Sequence, residues 1–178
     1  MKKNLLLIFF AFIFIQVTAQ KYASEKSSVS FFSHASIEDI TADNKNATGI
    51  FNAETNDIAF SIPITEFKFA KSLMQEHFNE KYMESDNYPK ATFQGKITGY
   101  NKANAGGQQV KAAGKLTIHG VTNDVELRGT IEKKDGKLLM KSKFIVKLVD
   151  YKVKIPELLW NKIAEQVEVT VDFIFKPE

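Results

Sequence analysis

The chain has 178 residues, of which 44% are apolar and 25% charged, with a formal net charge of +3 and no cysteine. That length bounds it to about one domain, and the lack of cysteine excludes a disulfide framework, a thiol nucleophile and a lipid attached through a thioether. Acidic and basic residues are interspersed, and the balance excludes the basic footprint of a nucleic-acid-binding protein.

Residues 1–19 read as a secretory signal peptide. Lys2 and Lys3 precede an unbroken apolar run from Leu5 to Ile15, and Val17-Thr18-Ala19 supplies the small residues of a cleavage site. The run is shorter than the span of about 20 residues that a membrane helix needs. Cleavage after Ala19 is expected, leaving a single mature domain over residues 20–178 with no integral membrane span; the alternative is an uncleaved anchor. Loss of Lys2 and Lys3 takes the net charge from +3 to +1.

After a polar start, Ser28 to Ala35 reads as a first strand, with Val29 and Phe31 on one parity and Phe32 on the other. Asp39 to Thr48 is polar and reads as a loop, and a strand resumes over Gly49 to Asn52. Glu54 to Asp57 turns the chain. Ile58, Phe60, Ile62 and Ile64 then alternate with Ala59, Ser61, Pro63 and Thr65 as the inward side of a strand. Pro63 has no amide proton for a ladder, which puts this strand at an edge or gives it a bulge; an exposed edge there is compatible with a homodimer. From Phe69 the period lengthens. Ala70, Met74, Phe78 and Tyr82 recur at four-residue spacing with Leu73 and His77 alongside, which predicts an amphipathic helix over about 69–84 that ends before Tyr88-Pro89.

Beyond the helix, the predicted inward sets are Phe93, Gly95, Ile97 and Gly99, then Val110, Ala112, Gly114, Leu116 and Ile118, then Val125, Leu127, Gly129 and Ile131. The last two flank a tight turn at His119-Gly120, and their strict alternation points to a sandwich or barrel with one buried face. Two explanations of the inward glycines stand side by side: bulges or sharp bends, or a barrel lumen left unfilled to hold a ligand. Phe144, Val146 and Leu148 share one parity while Tyr151, Val153 and Ile155 share the other, so a bulge is expected near Val149 or Asp150. Pro156 opens a short helical turn over about 156–164, and Val167 to Phe175 closes the chain as an alternating strand.

No catalytic constellation emerges. His34, His77 and His119 lie far apart with no short metal-ligand spacing, so a zinc enzyme would have to assemble them from three separate elements. His119 falls on the outer face or at its turn, where a structural hydrogen bond is the expected role, and His77 packs beside Phe78. Glu76, Glu80, Glu84 and Asp86 read as a solvated helix face, and Lys141, Lys143, Lys147, Lys152 and Lys154 as a charged outer face. Eleven phenylalanines remain once the signal segment is removed. They concentrate with other apolar side chains so as to form core or to line the mouth of a cavity, where Met74 would adapt to a flexible chain.

The segment FKFAKSLMQEHFNEKYMESDNYPKATFQGKI from Phe67 to Ile97, followed by GKLTIHGVTNDVELRGTI from Gly114 to Ile131, resembles the YceI-like family, and SSVSFFSHAS at Ser27 to Ser36 and the ending VEVTVDFIF fit the same pattern. The resemblance implies an all-β protein: an extended, lipocalin-like antiparallel β-barrel exported from bacteria, whose apolar lumen binds a polyisoprenoid, an isoprenoid quinone precursor or a fatty-acyl lipid, without cofactor or catalytic residues. The expected ligand-binding residues are Phe31, Phe60, Phe69, Leu73, Met74, Phe78, Leu158 and Trp160, with Gly95, Gly114 and Gly129 as small lumen positions. Replacing Gly114 by leucine is expected to lower ligand uptake in a domain that still folds. The rival reading is a non-enzymatic envelope scaffold whose barrel is filled.

Overall fold

Period-two alternation is realised as strands along most of the chain. The computed structural model describes residues 21–34, 39–104, 106–155 and 165–178. Within them the strands are β1 (Lys21–Ser33), β2 (Ile40–Asn44), β3 (Thr48–Asn52), β4 (Asp57–Pro63), β5 (Lys68–Phe69), β6 (Lys90–Thr98), β7 (Gln108–Ile118), β8 (Val121–Lys134), β9 (Lys137–Lys147) and β10 (Gln166–Pro177). Neighbours run in the order β10-β9-β8-β7-β6-β4-β3-β1, and β1 pairs back onto β10, which closes an antiparallel barrel of eight strands. Strands β2 and β5 prolong β3 and β4 beyond an interruption: β3 pairs with the start of β1 at Lys21–Ala23, and β2 with its end at Val29–Ser33.

The interruption corrects the expectation of a loop over Asp39–Thr48. One strand, β2, lies there, and it escapes the apolar pattern because its buried inward positions are Ala42 and Asn44, one small and one polar. Asn44 is fully buried. Its Nδ2 donates to the Pro63 carbonyl at 2.7 Å and its Oδ1 accepts from the Asn46 N–H at 2.8 Å, so one amide stitches both broken strands together. Pro63 therefore ends β4 beside this break, where the β3 ladder has already stopped at Ser61 and only β6 still pairs, and the Asn44 amide covers the open flank, so no free strand edge is left there for a homodimer.

Three other expectations shift. The helix begins later, as α1 (Ser72–His77), and continues as a π-helical turn over Phe78–Tyr82, because Phe69 instead pairs with Ala42 in the β2–β5 ladder. The parity change after Leu148 is not a bulge. Strand β9 ends, a 3-10 turn covers Leu148–Tyr151, and Lys152 adopts a left-handed conformation (φ 55°) that redirects the chain so that Tyr151 and Val153 are buried. The helical turn expected over about 156–164 lies outside the described residues. The β7–β8 hairpin is as expected, turning through His119 (φ 49°) and Gly120 (φ 72°), a left-handed pair that matches strand twist.

The barrel is packed unevenly. At the end holding Lys21, Glu178 and the β8–β9 turn, Phe51, Ile131, Leu138, Phe173 and Phe175 are each less than 2% exposed. Aromatic rings fill that end: Phe60 lies 4.7 Å from Phe173, Phe173 5.7 Å from Phe175, and Phe51 5.5 Å from Tyr100. Full burial of each such side chain contributes about 1.5–3 kcal/mol. The opposite end carries α1, and several of its inward residues, Phe31, Ile62, Phe69, Phe78 and Tyr82 among them, are only partly buried.

Candidate functional site

Above the aromatic plug the barrel is hollow. A cavity of about 450 Å³ runs from Phe173, Ile131 and Met140 up to α1, within the range of about 300–1,000 Å³ usual for a small-molecule site. Its wall is the inward parity of the strands: Val29 and Phe31 of β1, Ile58, Phe60 and Ile62 of β4, Phe93 and Ile97 of β6, Leu116 of β7, Leu127 of β8, Phe144 and Val146 of β9, and Val167, Val169 and Val171 of β10. The lining is almost wholly apolar. Among the described residues no carboxylate belongs to it.

The helical end is built by a knot of rings. The Phe78 ring centroid lies 5.5 Å from Phe31, 5.6 Å from Phe67 and 5.0 Å from Phe69, and Phe31 lies 5.5 Å from Phe67. Helix α1 has no fully buried residue, so its hold on the barrel comes through the partly buried Met74 and Phe78 and the neighbouring Tyr82 and Met83. Beyond it, His119 ties three elements together. Nδ1 approaches the Tyr151 carbonyl at 3.3 Å, Nε2 approaches Glu84 Oε2 at 3.1 Å, and the ring packs edge-on against Tyr88 at 4.5 Å. This is the structural role expected for it.

One seam of the wall is incomplete. Strands β8 and β9 pair only over Gly129–Lys134 and Lys137–Ser142, although both continue upward, β8 bound to β7 and β9 to β10. At the fork Ser142 Oγ donates to the Arg128 carbonyl at 2.7 Å, taking the place of a ladder bond, and the cavity reaches Arg128–Thr130 and Lys141–Ser142. Higher up, the split is bridged again where Asn123 Nδ2 donates to the Asp150 carbonyl at 2.9 Å.

Of the residues picked out in the sequence, Phe31, Phe60, Phe69, Met74, Phe78 and Gly129 are brought together around this cavity. Leu73 is not: it is 59% exposed on the outer side of α1, one position from the inward Met74. Gly95 and Gly114 are not lumen spacers either. They pair directly, and a Cβ on Gly114 would fall 2.2 Å from the Gln94 carbonyl oxygen, while one on Gly95 would meet the Ala113 carbonyl at 2.5 Å and the Phe93 ring at 2.8 Å. These glycines let β6 and β7 approach and bend, and Gly129, although it reaches the cavity, is crowded in the same way, since a Cβ there would fall 2.4 Å from the Lys141 carbonyl oxygen, so close backbone approach explains all three. Leu158 and Trp160 lie outside the described residues. Sequence reasoning passed over Ile62, Phe67, Leu127, Phe144 and Val169, whose inward parity or aromatic character was the available signal. It also passed over Ser33, which shares the parity of Val29 and Phe31.

The titratable groups divide between wall and surface. Burial pushes the Tyr82, Tyr100 and Tyr151 phenols up, with Tyr22 adding to the effect at Tyr100. On the outer face a hydrogen bond from Lys111 holds the Glu126 carboxyl below its usual range. Lys141–Asp172 (3.2 Å) and Lys143–Glu168 (2.7 Å) lie across β9 and β10, so the lysines are a solvated outer face whose ion pairs guide register more than they stabilise. His34 approaches Asp39 at 2.7 Å on the surface, and among the described residues no three His, Cys, Asp or Glu side chains come together to hold a metal.

Solved structures share this architecture. A polyisoprenoid-binding domain from Saccharophagus degradans, implicated in plant cell wall breakdown, superposes with a TM-score of 0.76 at 15% identity, covering 88% of this chain and 98% of its own. Burkholderia cenocepacia BcnA gives 0.71 at 17% identity over 83% and 95%. The Campylobacter jejuni YceI protein gives 0.62 at 19% over 82% and 90%. A comparison with curated proteins finds no match. These identities speak to fold alone, but the YceI-like domain model matches residues 21–175, nearly the whole of the barrel, and the chain belongs to the YceI-like family.

Proposed function

We propose that this protein binds one long-chain amphiphile, an isoprenoid or a fatty-acyl lipid, inside the barrel and sequesters or carries it, and that it works after export, in the periplasm or outside the cell. The apolar cavity of about 450 Å³ carries this reading. Unfilled apolar space forgoes packing contacts at a cost that rises with its volume. A scaffold module would fill it, as the Phe51, Phe173 and Phe175 end is filled. A chain of about twelve methylenes would contribute on the order of 10 kcal/mol before the costs of association, with no polar contact needed. The description of the Saccharophagus domain as polyisoprenoid-binding supports the isoprenoid alternative, and the charged, apolar and small-residue pattern of residues 1–19 supports export. Binding rather than catalysis fits a wall with no carboxylate among its described residues.

Native mass spectrometry of the protein exported by its own host, followed by organic extraction, tests this. A single bound species of isoprenoid or acyl mass is expected. A clean apo mass that persists after lipid is added would overturn the carrier reading in favour of the scaffold.

A further inference from the structure

The wall of the cavity contains one polar group out of keeping with its surroundings. Ser33, the last residue of β1, is 2% exposed and lines the cavity, yet among the described residues its Oγ has no hydrogen-bond partner. Among the described residues only one other buried side-chain atom is in that state, Asn79 Oδ1, and Asn79 is not part of the lining. Buried hydroxyls are almost always satisfied, because an unmet one forfeits its bonds to water without return. Ser33 also has the cheapest of remedies within reach, since alanine would fit the same site. A hydroxyl kept in such a place is explained if its partner arrives with the ligand.

We propose that Ser33 Oγ is the contact for the polar end of the bound chain, and that this end is an uncharged hydrogen-bonding group such as a hydroxyl, a carbonyl or a carboxamide. The proposal rests on the reading of the cavity as a lipid site. Position sets the orientation: Ser33 pairs with Ile40 at the α1 end of the barrel, on the same inward parity as Phe31 and Val29, so the polar end sits beneath the helix and the tail points down towards the aromatic plug. Charge sets the class. The cations that reach the lining, Arg128 and Lys141, belong to the β8–β9 fork, and Lys141 lies level with Ser28 through Asp172, well below Ser33 and across β10 from it. Among the described residues of the lining, no lysine or arginine stands beside Ser33 to supply the countercharge that a buried phosphate or carboxylate requires.

Displacement of Nile red by hexadecanol, hexadecanamide, hexadecanoate and hexadecane, measured on the mature protein, tests this by holding the tail constant and varying the head. The alcohol and amide are expected to bind about fivefold to tenfold more tightly than the hydrocarbon. In Ser33→Ala that preference collapses to near unity while hydrocarbon binding persists and thermal stability is equal or higher, because the variant removes an unmet polar group. Ser33→Thr keeps a hydroxyl and should keep the preference. An unchanged alcohol-to-hydrocarbon ratio in Ser33→Ala would overturn the role of Ser33 and leave the cavity reading standing. A preference for hexadecanoate over hexadecanol would overturn the uncharged class and move attention to His77, the imidazole in the lining. If no member of the series displaces the dye from the unmodified protein, the lipid-site reading itself fails and the Ser33 proposal with it.

Discussion

Asn44 shows how one polar side chain can serve as framework. Fully buried, it donates to Pro63 and accepts from Asn46, at the point where both β2–β3 and β4–β5 are broken. Asn44→Ala leaves a backbone carbonyl and an amide unmet and should cost about 1–3 kcal/mol. A lower denaturant midpoint at unchanged slope is the expected reading. The glycines carry a second lesson at this scale. Gly114 keeps its place because β6 backbone occupies the position of a Cβ, so Gly114→Ala should destabilise by about 1–3 kcal/mol. Gly107→Ala, with nothing near it, should be close to neutral by the same measurement. Gly114→Leu accordingly loses the fold before it can report on a lumen. Inward parity was legible at these glycines. The partner backbone that crowds them was not, because sequence alternation carries no information about how closely two strands approach.

At the scale of elements, legibility followed the volume of the inward side chains. Strand β10 stands out because large or branched residues alternate without interruption, and the β7–β8 hairpin because Leu116, Ile118, Val125 and Leu127 flank the His119-Gly120 turn, whereas β2 hides behind Ala42 and Asn44. Phe69 misled because it satisfies helical spacing and strand pairing equally, and only the β2 ladder decides between them. The helical piece that remains is too short to persist by itself, since isolated helices need about 12–15 residues even to be marginal. Its anchor is Phe78, at the centre of a four-ring cluster with Phe31, Phe67 and Phe69. Phe78→Ala should therefore release α1 from the barrel before the barrel itself unfolds. Limited proteolysis would show early cleavage within residues 70–84 while the rest of the domain stays intact; cleavage no faster than in the unmodified protein would mean that the rings are not the anchor.

Across the whole molecule, one end of the barrel is solid and the other hollow, and the phenols at Tyr100, Tyr82 and Tyr151 sample both. Burial raises all three, so the folded state holds their protons more tightly than the unfolded chain does. The stability they contribute is complete below the ordinary phenol range near pH 10 and is lost as pH climbs through their raised values. Phenolate absorbance should therefore lag that of a denatured sample at the start of an alkaline titration and then jump with unfolding. The incomplete seam between β8 and β9 has a mechanical consequence of its own. Along Val121–Arg128 and Lys143–Lys147 the two strands share no ladder bonds, so the wall can widen there without breaking any. This seam thus adds circumferential compliance, and the barrel can stretch around a bulkier guest along it. Amide hydrogens along that seam should exchange with deuterium well ahead of those that β8 directs to β7, and a bound guest that strains the wall should widen the difference.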